Sequence, residues 1–194
     1  MERLVYGIGF NNREYPTKNC VYNVWRAMIY RCTQNCWEMF PTYTGVTCTD
    51  SFKSYSYFYE WYHKQQNHNT IDYCGNKWCL DKDLLVKGNK IYSEDTCIFI
   101  PERINTLLTT CNASRGEMPV GVCFNKQRGN YKTQCNIGKG VSKHLGLFAT
   151  KEEAFLVYKT FKEALIKEVA NEYRGQLAER AYEALMKYEV NIDD

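Results

Sequence analysis

Between Gly121 and Phe148 the chain sets Lys126, Arg128, Lys132, Lys139 and Lys143 among Asn125, Gln134, Asn136 and His144, without an acid between them. Ammonium and guanidinium groups can neutralise phosphates, while Asn and Gln amides can pair with adenine edges and Arg with guanine. The imbalance is local. Residues 113–149 carry six basic side chains against one acid, a net of +5, whereas residues 150–194 carry seven against ten, a net of −3. Positive charge concentrated on one segment suits a polyanion, and nucleic acid is the usual one. The competing reading is a solvated hairpin face with incidental charge.

The elements that must position these side chains are legible from alternation. Val122 and Phe124 face one way, Cys123 and Asn125 the other. Tyr131, Thr133, Cys135 and Ile137 then oppose Lys132, Gln134 and Asn136, and residues 143–148 make a third strand. Gly129-Asn130 and Gly138-Lys139-Gly140 suit the hairpins between them. Thr150-x-x-Glu153 is a capping box, after which Ala154, Tyr158, Phe161, Leu165 and Val169 form a helical stripe able to cover the apolar sheet face. A last helix past Gly175 carries Leu177, Ala181, Leu185 and Tyr188.

Upstream, Val21, Val24, Trp25, Met28, Ile29 and Cys32 mark one face of a helix that Pro16-Thr17 would start. Asp50-Ser51 would cap a second helix, bearing Phe52, Tyr55, Phe58, Tyr59 and Tyr62. Residues 64–70 read as an exposed loop. Strands are expected over 80–86 and 97–100 around a turn at 88–90, and Pro101 opens a short helix. Residues 109–119 read as a linker. The fold class expected is α+β: a mixed helical and short-strand domain over 1–112, a three-stranded antiparallel sheet packed on a helix over 113–174, and a C-terminal helix over 175–194.

No apolar stretch approaches a membrane span and the N-terminus has no signal-like core, so a cytoplasmic protein without a membrane partner is expected. In a reducing compartment the ten cysteines are free, packed thiols by default. Cys32-x3-Cys36 and Cys74-x4-Cys79 are four potential zinc ligands, but neither has the tight spacing of common zinc knuckles. No metal and no cofactor is expected.

The string GV-x-F-x-K-x-x-x-x-Y-K-T-Q … K-H-L-G-x-F-x-T-x-E-E-A-x-x-x-Y over 121–158 resembles the ethylene-response-factor, or Apetala-type, DNA-binding domain, in the version found in phage homing endonucleases. VWRAMIYRC (24–32) and LDKDLLVKGNKIYSEDTCIFIPERIN (80–105) resemble the segment that accompanies it in phage proteins often labelled HNH endonucleases. The resemblance implies double-stranded DNA read from the sheet face, with contacts at Cys123, Asn125, Arg128, Gln134, Asn136 and His144. Plant members have arginine or tryptophan at several of these places. The departures at Cys123, Asn125, Asn136 and His144 imply a different target, with more of the binding at Lys126, Lys132 and Lys143.

An HNH nuclease needs a histidine base, an orienting asparagine and a metal held by further His, Asn or Asp residues. No histidine occurs between Asn69 and Lys143, and Leu-Asp-Lys-Asp stands where the base would be. Asp81, Asp83 and Asn89 are the residues left to hold a magnesium ion, against the reading of solvated surface acids. His63 and His68 lie outside that unit. Tyr6-Gly7-Ile8-Gly9 matches only a fragment of the GIY-YIG nuclease motif. The expectation is therefore a sequence-specific DNA-binding protein without catalytic residues: a domesticated homing-endonuclease relative acting as a repressor in a bacterial host cell. An active HNH-type enzyme is the alternative, an interaction module built on the aromatic helix a third reading, and a homo-oligomer is left open.

Overall fold

The computed structural model describes residues 4–71, 75, 77–109, 118–138 and 140–194. The chain is α+β and forms two compact units, Met1–Ile100 and Pro101–Asp194. The sequence reading placed this junction at residue 112, within a linker most of which (110–117) lies outside the described residues. The helix before it belongs to the second unit. Ile104 and Leu107 are buried, and Arg103 pairs with Glu172.

The first unit begins with Val5 bridged to Gly9 around a turn in which Tyr6 and Gly7 take positive φ. The Tyr6–Gly9 fragment is thus a tight turn. Helix α1 (Cys20–Arg31) starts later than Pro16-Thr17 suggested, because the Asn19 side chain caps it by accepting from the Tyr22 amide at 2.8 Å. After α2 (Gln34–Met39) and a 3-10 turn (Pro41–Tyr43), strand β1 (Thr47–Cys48) leads to the aromatic segment. That segment is two helices, α3 (Asp50–Lys53) and α4 (Tyr55–Lys64). Ser54 leaves helical geometry because Phe10 inserts there. Its amide donates to the Lys53 carbonyl at 2.9 Å, and its carbonyl accepts from the Tyr55 amide at 3.0 Å. Phe52, Tyr55, Phe58, Trp61 and Tyr62 are buried with Trp25, whose indole N–H donates to the Phe52 carbonyl at 2.8 Å. Four residues of the expected stripe, Phe52, Tyr55, Phe58 and Tyr62, are therefore core, while Tyr59 is half-buried and stacks on Tyr15.

Strand β2 is only Cys79–Asp81, shorter than the expected 80–86. Its chain turns because Asp81 Oδ1 accepts from the amides of Asp83 (3.0 Å) and Leu84 (2.7 Å). β3 (Ile91–Tyr92) pairs parallel with β1, and β4 (Ile98–Ile100) antiparallel with β2.

In the second unit α5 (Glu102–Leu108) precedes the antiparallel meander β5 (Val122–Asn125), β6 (Asn130–Asn136) and β7 (Ser142–Phe148). Helix α6 (Lys151–Glu172) opens on the expected capping box and packs across the sheet. Ala154, Tyr158, Leu165 and Val169 of α6 are buried, as are Val122, Thr133 and Cys135 of the sheet. Each fully buried large apolar side chain contributes roughly 1.5–3 kcal/mol. Gly121 (φ +75°) is where this packing is tightest: an added Cβ would stand 2.1 Å from the Tyr158 ring. α7 (Glu179–Met186) buries Ala181 and Leu185 and packs on α6, so residues 175–194 belong to the second unit.

Candidate nucleic-acid interface

Register decides which side chains share the uncovered face of the sheet. Cys123 lies opposite Lys132, and Lys132 opposite Leu147, which makes a row of three across the sheet. Gln134 lies opposite His144 and Asn136 opposite Ser142. Directly opposite residues point to the same side, so Cys123, Lys132, Gln134, Asn136 and His144 are together on the side away from α6. Cys123, Lys132, Asn136 and His144 are exposed and Gln134 is half-buried.

A β-bulge sets the far end of this face. Thr133 is opposite Gly146, but the next residue, Gln134, is opposite His144, so Leu145 is the extra residue. A regular ladder would have put His144 opposite Cys135 on the helix side and Lys143 opposite Asn136 on the open side. The bulge exchanges them. Lys143 lies opposite Cys135, and its ammonium sits 4.8 Å from the Phe161 ring centroid of α6. Gly146 permits the distortion with φ +148°, where a Cβ would lie 2.8 Å from the Phe148 ring. Of the residues expected to bind DNA, Lys143 is therefore the one the fold turns towards the helix.

The amides divide into two kinds. Asn125 Oδ1 accepts from the Gln127 amide (3.1 Å) and the Arg128 amide (3.4 Å), building the first hairpin turn. Asn136 Oδ1 accepts from the Gly138 amide at 2.8 Å, starting the second. Their carbonyl oxygens are committed to the backbone, as Asx turns require. Gln134 is different. Its side chain, like those of Lys132 and His144, has no hydrogen-bond partner among the described residues. Lys126 and Arg128 are exposed on the first turn; Lys139 lies outside the described residues. From Met118 to Ala149 the chain has no Asp or Glu, so no carboxylate within the segment competes for these cations.

Two residues escaped sequence reasoning. Leu147 is 41% exposed beside Lys132, although strict alternation from Phe148 would have found it. Lys162 is 8% exposed at the α6–sheet contact, one helical turn beyond Tyr158. Burial holds its ammonium below the ordinary lysine range.

The residues considered for a nuclease metal are otherwise engaged. Asp81 is buried and holds the turn described above. Burial, with the neighbouring Asp83, pushes its carboxyl up to about 6. Lys82 Nζ donates to Asp83 Oδ2 and to the Asn89 carbonyl, both at 3.0 Å. Asn89 Nδ2 donates to the Lys82 and Ile91 carbonyls, both at 2.7 Å, while its Oδ1 accepts from the Ile91 amide at 3.1 Å. This network knits residues 81–91. His63 and His68 stack edge-on with Tyr62, their ring centroids 5.2 Å apart, and burial holds His63 below the ordinary histidine range.

Among the described residues no group of three or more His, Cys, Asp or Glu side chains has metal-binding geometry. No helix of the described residues is long and apolar enough to cross a membrane. No protein-family model, curated protein or solved structure matches the chain.

Proposed function

We propose that the protein is a sequence-specific double-stranded DNA-binding protein that represses transcription, a domesticated relative of phage homing endonucleases acting in the cytoplasm of a bacterial host. One observation carries this reading: Lys132, Gln134 and His144 share the sheet face opposite α6, and their side chains have no partner among the described residues. A sheet face of this kind can enter the major groove, where a glutamine reads adenine and a lysine meets guanine or phosphate. Lys126 and Arg128 on the adjoining turn are placed to meet the backbone.

The alternative, an active HNH-type endonuclease, has less support. General base catalysis by a positioned side chain is worth typically about 10²–10⁴-fold, and residues 69–143 hold no histidine, His68 lying just before them and His144 just after. Asp81 and Asn89 already serve the fold.

Both readings meet one experiment. The full chain selects duplexes from a random pool, and the enriched site is then placed on a plasmid with magnesium or manganese and upstream of a reporter. The expected result is an enriched sequence, an intact plasmid and a silent reporter. Failure to enrich any sequence would sink the DNA reading. Specific nicking that vanishes in Asp83→Ala would replace repression by cleavage.

A further inference from the structure

We propose that Leu147 is a base-reading residue of the open sheet face, its side chain meeting the C5 methyl of a thymine close to the adenine that Gln134 reads. The inference rests on the DNA reading above and adds to it one base of the target and the residue that selects it. Leu147 lies opposite Lys132, which lies opposite Cys123, so one row across the sheet carries a thiol, an ammonium and an isobutyl group. All three are exposed, Leu147 by 41%. The next row pairs Gln134 with His144.

A leucine exposed singly on a protein surface needs no explanation. What sets Leu147 apart is its company. It shares a row with a cation, on the side of the sheet away from α6, in a segment (118–149) that has no carboxylate. Such a face attracts a polyanion and repels a second basic surface, which makes nucleic acid the partner that an apolar group here would touch. The strand backbone fixes the direction of Leu147 as firmly as that of Lys132.

The chemistry of the major groove then names the base. Among the four bases, thymine alone presents an apolar group there, its C5 methyl, beside edges that are otherwise donors and acceptors. A leucine against those donors and acceptors strips their water and returns no hydrogen bond. It therefore favours thymine both by contact and by excluding the alternatives. Gln134 follows Lys132 by two positions on β6, so it is the diagonal neighbour of Leu147 on this face. Diagonal neighbours stand roughly 7–8 Å apart, about two base steps at roughly 3.4 Å each.

The test uses the full chain and the duplex it enriches from a random pool of unmodified DNA. Each thymine in turn is replaced by deoxyuridine, which removes the methyl and keeps the pairing edges. In anisotropy titrations one replacement should weaken binding roughly fourfold, the worth of one buried methyl group. Leu147→Ala should bind the unaltered duplex more weakly and lose nothing further with deoxyuridine at that position, whereas Lys126→Ala should keep the full methyl effect. The sensitive thymine should lie within about two base steps of the position where Gln134→Ala relaxes the preference. An enriched site in which no thymine responds would overturn the proposal and leave the DNA reading standing. So would a methyl effect that persists undiminished in Leu147→Ala. Failure to enrich any sequence would remove the DNA reading and this inference with it. The deoxyuridine scan on the parent chain is decisive against the proposal even if a variant fails to fold.

Discussion

The turn over residues 81–91 and the open face of the β5–β7 sheet are both rich in polar side chains, yet they spend them differently. In the turn, Asp81, Lys82 and Asn89 bond to one another's backbone and to their neighbours. On the sheet, Lys132, Gln134 and His144 have no hydrogen-bond partner among the described residues. Side chains that satisfy buried backbone groups cannot leave without exposing them, at a cost of about 1–3 kcal/mol each. Polar groups held on a rigid strand and unpaired within the chain bind a partner without that penalty. The comparison teaches that polar residues near one another in sequence are evidence of a site only once their internal bonds are known. Asn125 and Asn136 show it within the sheet itself, since their oxygens hold the hairpin turns.

The largest expected effect is on salt dependence. If the open face and its turn neutralise about four phosphates, affinity for duplex DNA should fall about 10²-fold between 50 and 200 mM salt. Fluorescence anisotropy across that range measures it, and a flat response would erase the distinction between the two regions.

Next come substitutions that separate reading from holding. Gln134→Ala should lose about 1–3 kcal/mol on the preferred sequence and relax its preference. Lys132→Ala should weaken preferred and scrambled duplexes alike, and Lys143→Ala should change either one little. Asn125→Ala should lower the thermal midpoint instead, by an amount equivalent to about 1 kcal/mol. If Lys143→Ala matches Lys132→Ala in binding titrations, the bulge does not divide the two lysines as drawn.

Asp81 offers a pH test of the engaged turn. Its folded-state pKa of about 6 stands above the unfolded carboxylate's, so the folded chain holds the extra proton. That contribution is complete below about pH 4 and is lost as pH rises through about 6. Asp81→Asn keeps an acceptor for the Asp83 and Leu84 amides and removes the titration. Chemical denaturation should show it gaining stability over the parent between pH 5 and pH 8, on the order of 1–2 kcal/mol. An unchanged difference across that range would show that the carboxyl is not held in this way.

The smallest effect concerns Lys162. Its lowered pKa means the folded chain disfavours the charged amine, so its contribution improves as pH rises from the folded value towards the unfolded one. Lys162→Met should stabilise the second unit by about 1 kcal/mol at neutral pH, read as a higher thermal midpoint. A lower midpoint would mean the ammonium makes a favourable contact there.

Much of the second unit was written in the sequence. Alternation over 122–136 placed Lys132, Gln134 and Asn136 on one side because a strand's side-chain period is two, and Thr150 and Glu153 announced α6 because their capping chemistry is local. The aromatic spacing likewise marked Phe52 to Tyr62 as a helical stripe. What local pattern could not supply was any feature made by distant chain. Phe10 splits α3 from α4 through backbone bonds that no neighbouring residue signals. The Asp81 turn cuts β2 short, because one carboxylate satisfies two amides that the ladder would otherwise have used. Above all, the bulge at Leu145 sends His144 to the open face and Lys143 to the helix. A single extra residue reverses the parity of a strand, and only the pairing of β7 with β6 over the packed ring of Phe148 decides where that residue falls.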